Sequence, residues 1–192
     1  MNFDIIRPMN TSIWKLTALL LINIGMFATA SQDSEYSAEQ KQNIIARTLF
    51  MEARSEYRNE GLKAVASVIY NRAGGDTNRF VAVCFEKGQF AVWNKYSPLE
   101  SSDYTAENYQ VQVPWQAQQN KIEMKAWLEC DKWAKQMVDG EFESNIGNRN
   151  MYDTEATGAL RPWWERMTDK KTIGPHTFGY LPERDGFKAK NG

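Results

Sequence analysis

The chain has 192 residues and a formal net charge of −1, with 42% hydrophobic and 24% charged residues. That length can bury the core of one domain, and the balance excludes a disordered chain and a global basic field for nucleic acid. One histidine and two cysteines supply a zinc centre of those residue types poorly, and no cofactor is called for.

The first element reads as a targeting segment. Residues 16–30, LTALLLINIGMFATA, form an uncharged apolar run preceded by Lys15 and ended by Ala28-Thr29-Ala30. This is the basic start, apolar middle and small-residue cleavage site of a secretory signal peptide. It falls short of the roughly 20 residues that a comfortable membrane span needs. Residues 1–30 are therefore expected to be a signal peptide or signal anchor and the chain's one membrane contact. Residues 31–192 are expected to form a single exported domain in the periplasm or cell wall. In an oxidising compartment Cys84 and Cys130 either pair or stay as two buried thiols. Pairing is the expectation; it would close a loop of about 46 residues, with roughly 4 kcal/mol of chain-entropy stabilisation.

Ser37-Ala38-Glu39-Gln40 fits a capping box, and the periodicity predicts a helix from about Ala38 to Ser55. A second helix, EGLKAVASVIYNRA, would be capped by Asn59 and ended by Gly74-Gly75, and the two should pack as a hairpin. Residues 74–113 are irregular, and KGQFAVWNKYSP (87–98) reads as a surface loop carrying exposed rings. Helical spacing returns at roughly 116–140, with Ile122, Ala126, Cys130, Trp133 and Met137 on one side and Gly140 as the stop. Short strands are expected around NMYD and KTIGPHTFGYL, which makes the class α+β, mainly helical, with a small late sheet.

Glu52 is the residue with chemical promise. It shares a helix face with Ile45 and Leu49, and an apolar wall raises a carboxyl pKa by disfavouring its charged form. A glycosidic general acid stays protonated near neutral pH in that way, although a structural glutamate paired with Arg54 would occupy the same position. Glu56 lies one turn on, its Cβ about 6 Å away, side by side with Glu52 rather than across a scissile bond. It therefore reads as a supporting charge and not as a nucleophile. No G-x-S-x-G and no phosphate-cradling glycine loop is present, and His176 reads by default as a structural histidine.

Three segments, ARTLFMEARSEYRNEGLKAVASVIYNR (46–72), FVAVCFEKGQFAVWN (80–94) and RPWWERM…KTIGPHTFGY (161–180), together resemble the spore-cortex-lytic, SleB-like family of cell-wall hydrolases. The resemblance implies a lysozyme-like helical lobe with a small antiparallel sheet beside the active-site cleft. It implies cleavage of the MurNAc–GlcNAc bond of peptidoglycan, commonly as a lytic transglycosylase, with Glu52 as the acid. A hydrolytic muramidase and a non-catalytic wall-binding module stay open beside it. The implied substrate-binding residues are Gln89, Phe90, Trp93, Asn94, Tyr152, Trp163 and His176, with Glu56 and Arg54 in support. Peptidoglycan glycan strands are the implied partner, no nucleic acid is expected, and a monomer is. This chain departs from the family pattern at Met151, Pro175 and Gly179.

Overall fold

A computed structural model describes residues 35–56, 58, 60–86, 88–93 and 104–184. The chain divides into two units, Met1–Ser31 and Gln32–Gly192. The first unit, with the expected targeting segment, lies outside the described residues, and so do Asn59 and Asn94. Among the described residues no helix is long and apolar enough to cross a membrane.

Helix α1 spans Ala38–Ala53 and starts on the expected capping box: Gln40 N–H donates to Ser37 Oγ, and Ser37 N–H donates to Gln40 Oε1. It runs into a short 3₁₀ turn at Arg54–Glu56. Helix α2 spans Glu60–Ala73 and stops at Gly74 and Gly75, both in the left-handed region. A six-residue helix α3, Phe80–Phe85, lies within the stretch expected to be irregular. Helix α4, Lys121–Asp139, begins later than its periodicity suggested because Asn120 caps it, accepting from the amides of Ile122 and Glu123. At its end Gly140 takes φ +77° and donates to Met137 O, while Glu141 N–H reaches Gln136 O, the paired bonds of a Schellman motif.

Ile44, Ile45 and Leu49 of α1 are fully buried, and α1 packs chiefly on α4 and also on α2 and α3. The buried face of α4 is Ala126, Trp127, Cys130, Ala134 and Met137. Ile122, expected on that face, is 58% exposed, because it stands in the first turn after the cap and beyond the packed stretch. The expected disulfide is not formed. Cys84 on α3 and Cys130 on α4 both enter the core as buried thiols, α3 packing on α1 and α2 and α4 chiefly on α1. Each thus fills core volume as a small apolar side chain, and burial pushes the Cys130 thiol pKa up.

The sheet has three antiparallel strands in the order β1–β3–β2: β1 Met151–Thr154, β2 Thr168–Ile173 and β3 His176–Tyr180. Between β1 and β2 lies a single-turn helix α5, Glu155–Gly158. Tyr152 pairs with Phe178 and Thr154 with His176 across the β1–β3 ladder. Gly174 and Pro175 join β2 to β3. Gly174 has φ +58°, a left-handed conformation that glycine adopts without strain, and Pro175 follows it in the two-residue connection between the paired Ile173 and His176. At Gly179 an added Cβ would stand 2.2 Å from Met167, so this departure from the family pattern admits Met167 to a second small core with Met151, Trp164 and Leu181. The described architecture is mainly helical α+β with a small antiparallel sheet, as expected.

Candidate active site

Glu52 sits on the last turn of α1, half-buried, in the wall of a cleft of about 390 Å³. The 3₁₀ turn Ala91–Trp93 contributes one wall and strand β1 the other. Glu52 Oε1 accepts from the Ala91 amide at 2.7 Å, and Oε2 accepts from the Tyr152 hydroxyl at 3.2 Å. Burial holds the carboxyl above its ordinary range. The Ala91 and Tyr152 hydrogen bonds and the nearby His176 charge offset that in part, because they favour the carboxylate. A group in this balance can release a proton and then be held as an anion by two fixed donors.

The donors are fixed by the core. Phe90 is fully buried, and Trp93 is 2% exposed with its indole Nε1 donating to Thr48 Oγ1, one turn before Glu52 on α1. Neither ring reaches the cleft, contrary to the expectation of exposed sugar platforms, because burying two large rings anchors the turn. What the turn presents to the cleft is its backbone at Ala91 and the side chain of Gln89. Tyr152 is stacked on Phe178 at 5.6 Å, its partner across the ladder, and makes an edge contact with His176 at 5.3 Å. Burial raises the Tyr152 phenol pKa well above its ordinary value, and the Glu52 charge raises it further, so the hydroxyl stays protonated as a donor.

Glu56 is buried just past α1, with Oε1 2.8 Å from Nδ1 of His176. The two atoms are close but not aligned as a hydrogen bond, and among the described residues Glu56 Oε2 has no hydrogen-bond partner. Gly174 closes over that oxygen: a Cβ there would stand 3.0 Å away. Glu56 thus supports His176, which lines the cleft with Tyr152 and Trp163. Arg54, expected beside Glu52, instead pairs with Glu123 of α4 at 3.3 Å and lies over the Phe50 ring, since the 3₁₀ turn directs it towards that helix.

Two further groups line the cleft: Arg72, expected from the sequence to close the second helix and brace the fold rather than touch substrate, and Asp153, for which the sequence raised no expectation. Arg72, at the end of α2, donates to Asn150 O at 2.7 Å, Gln89 Oε1 at 2.9 Å and Met151 Sδ at 2.9 Å. It joins the helices to the sheet and positions Gln89, and Met151 serves it as an acceptor. Burial lowers its pKa to about 10. Asp153 follows Tyr152 on β1, with Oδ1 accepting from Thr154 N–H and Thr157 Oγ1 and Oδ2 facing Arg161 Nε at 3.4 Å. Its position beside Tyr152 was the available signal, hidden because the cleft gathers residues some 100 positions from Glu52 along the chain.

No curated protein and no solved structure matches the chain. A family model described as Cell Wall Hydrolase matches residues 56–179, more than half of the chain. The match begins at Glu56, just after Glu52, and takes in Arg72, Gln89, Tyr152, Asp153, Trp163 and His176 of the cleft. The chain belongs to the cell wall hydrolase family and is an enzyme acting on peptidoglycan.

Proposed function

We propose that this protein cleaves the MurNAc–GlcNAc bond of peptidoglycan as a lytic transglycosylase of the spore-cortex-lytic, SleB-like kind, with Glu52 as its acid and then its base. The observation that carries the reading is the Glu52 carboxyl, half-buried in the cleft with its pKa raised by burial and both oxygens held by donors. Protonated Glu52 gives its proton to the glycosidic oxygen as the bond to C1 breaks. The resulting carboxylate, held by Ala91 N–H and Tyr152 OH, takes the proton from the C6 hydroxyl of the same MurNAc. That oxygen bonds C1 and closes a 1,6-anhydro ring, so one acid serves both halves and no water is consumed. Gln89, Tyr152, Trp163 and His176 serve as substrate contacts, with Glu56 behind His176.

A hydrolytic muramidase is the second reading, and Asp153 is the observation that favours it, a second carboxylate in the same cleft. Two of its hydrogen-bond donors and Arg161 already engage it, which leaves it poorly placed to activate water. Digestion of purified sacculi by the parent and by Glu52→Gln, read by mass spectrometry, tests the proposal. Anhydro-muropeptides from the parent and none from the variant are expected, whereas reducing ends alone would assign the muramidase. The proposal includes export through residues 1–30 to the periplasm or cell wall and action as a monomer. Mature-protein N-terminal sequencing and light scattering check those two points.

A further inference from the structure

The cleft carries more positive charge than the acid chemistry uses. Arg72, Arg161 and Arg184 all line it, in a chain whose net charge is −1. Arg72 is buried, yet its three acceptors, Asn150 O, Gln89 Oε1 and Met151 Sδ, are all neutral. A buried cation without a carboxylate in contact is unfavourable unless an anion joins it. Arg184 stands close enough to press the Arg72 pKa further down by repulsion. Asp153 holds Arg161 through Nε, and Glu86 holds Arg184 through Nη1. Each carboxylate orients its guanidinium through one nitrogen, and the Arg161 Nη groups carry no partner among the described residues. Only the more distant charge of Glu86 and the face of the Phe90 ring, 5.7 Å away, offset the Arg72 charge in part, so three guanidinium groups face the cleft.

We infer that Arg161 and Arg184, which line the cleft together with the buried Arg72, form a cationic subsite for a carboxylate of the peptide stem that hangs from the lactyl ether of MurNAc. The inference rests on the peptidoglycan reading of the same cleft. Neutral GlcNAc offers these cations nothing, whereas a stem built with acidic residues brings carboxylates alongside the scissile bond. Guanidinium groups match carboxylates with paired, charge-assisted hydrogen bonds. The substrate class is therefore stem-bearing strands rather than strands stripped of peptide.

The test uses the full protein on two glycan preparations of equal length, one with stems and one with stems removed by an amidase. Cleavage is read as kcat/KM, and binding is read separately with the Glu52→Gln protein. About a tenfold preference for stem-bearing strands is expected in both readouts, shrinking with added salt. Arg161→Gln, at a 57% exposed side chain, should fold as the parent does and bring the preference close to one. Arg161→Lys should restore part of it. Equal binding of the two preparations, or a preference that survives Arg161→Gln, would overturn the subsite. Failure of the glycosidase reading looks different: the Glu52→Gln protein would still prefer stem-bearing strands while the parent cleaves neither preparation.

Discussion

The indole Nε1 of Trp93 donates to Thr48 Oγ1 at 2.9 Å, and both groups are buried. Thr48 stands one turn before Glu52 on α1, and Ala91, whose amide holds Glu52 Oε1, stands two residues before Trp93. One buried bond thus locks the loop donor to the helix that carries the acid. Trp93→Phe keeps a ring but loses the donor and leaves a void. Stability should fall by about 2 kcal/mol in denaturant titration. Turnover of peptidoglycan should fall by roughly tenfold as the Ala91 amide shifts. Unchanged turnover in a destabilised variant would show that the anchor and the acid are uncoupled.

Removing the acid should separate activity from stability. Glu52→Gln should lose roughly 10²–10⁴-fold in turnover, the usual worth of a positioned acid and base. The sign of its pH dependence follows from burial, which raises the Glu52 pKa. Stability from the neutral carboxyl is fully present below its ordinary value and is lost as pH rises through the raised one. Glutamine has no such loss, so the melting temperature of Glu52→Gln should gain on the parent as pH rises from about 4 to about 8. A gap that closes or reverses with rising pH would contradict a desolvated acid.

Tyr152 acts on the same carboxyl from the sheet side. Its hydroxyl favours the Glu52 carboxylate, so Tyr152→Phe should raise the acid's pKa further. The alkaline limb of the activity profile should move to higher pH, while the maximum drops because the anion loses one of its two donors. Stacking on Phe178 is retained by phenylalanine, so folding should survive. A downward move of that limb would show that the hydroxyl does not act on the carboxylate.

Gly174 is fixed by both its backbone and its neighbour. Its φ of +58° and the 3.0 Å approach of an added Cβ to Glu56 Oε2 make Gly174→Ala costly on two counts. A loss of roughly 1–2 kcal/mol is expected from the backbone alone. In a double-mutant cycle with Glu56→Ala the contact part should disappear, giving a smaller loss than the two single changes together. Strict additivity would show that Glu56 does not press on the turn.

Local signals with a complete grammar were legible in the sequence. The Ser37–Gln40 capping box, the Gly74-Gly75 stop and the Gly140 terminus each depend on residues a few positions apart, and the structure forms all three. Glu52 was legible only as an acid on an apolar face. Its donors, Ala91 N–H and Tyr152 OH, come from segments about 40 and 100 residues away. The aromatic rings misled because periodicity does not say whether a loop tryptophan is a platform or an anchor; the Thr48 hydroxyl decides that for Trp93. Arg72 read as a helix end, and its place in the cleft depends on the sheet that folds over it through Asn150.

Asp153 decides between the two outcomes of cleavage. In a one-acid reaction it only orients Arg161 and ties down the start of α5 through Thr154 and Thr157. Asp153→Asn keeps the side-chain shape and an acceptor oxygen but releases the charge on Arg161. Turnover should then fall by less than about tenfold, with anhydro-muropeptides still the product, because the Glu52 acid and its donors are untouched. If Asp153 instead served as the base for water, the same change would remove the group that activates the nucleophile. Turnover would fall by at least about a hundredfold, and reducing-end products would disappear with it. Product and rate therefore move together under either chemistry, and a large loss of reducing ends would transfer the second role to Asp153.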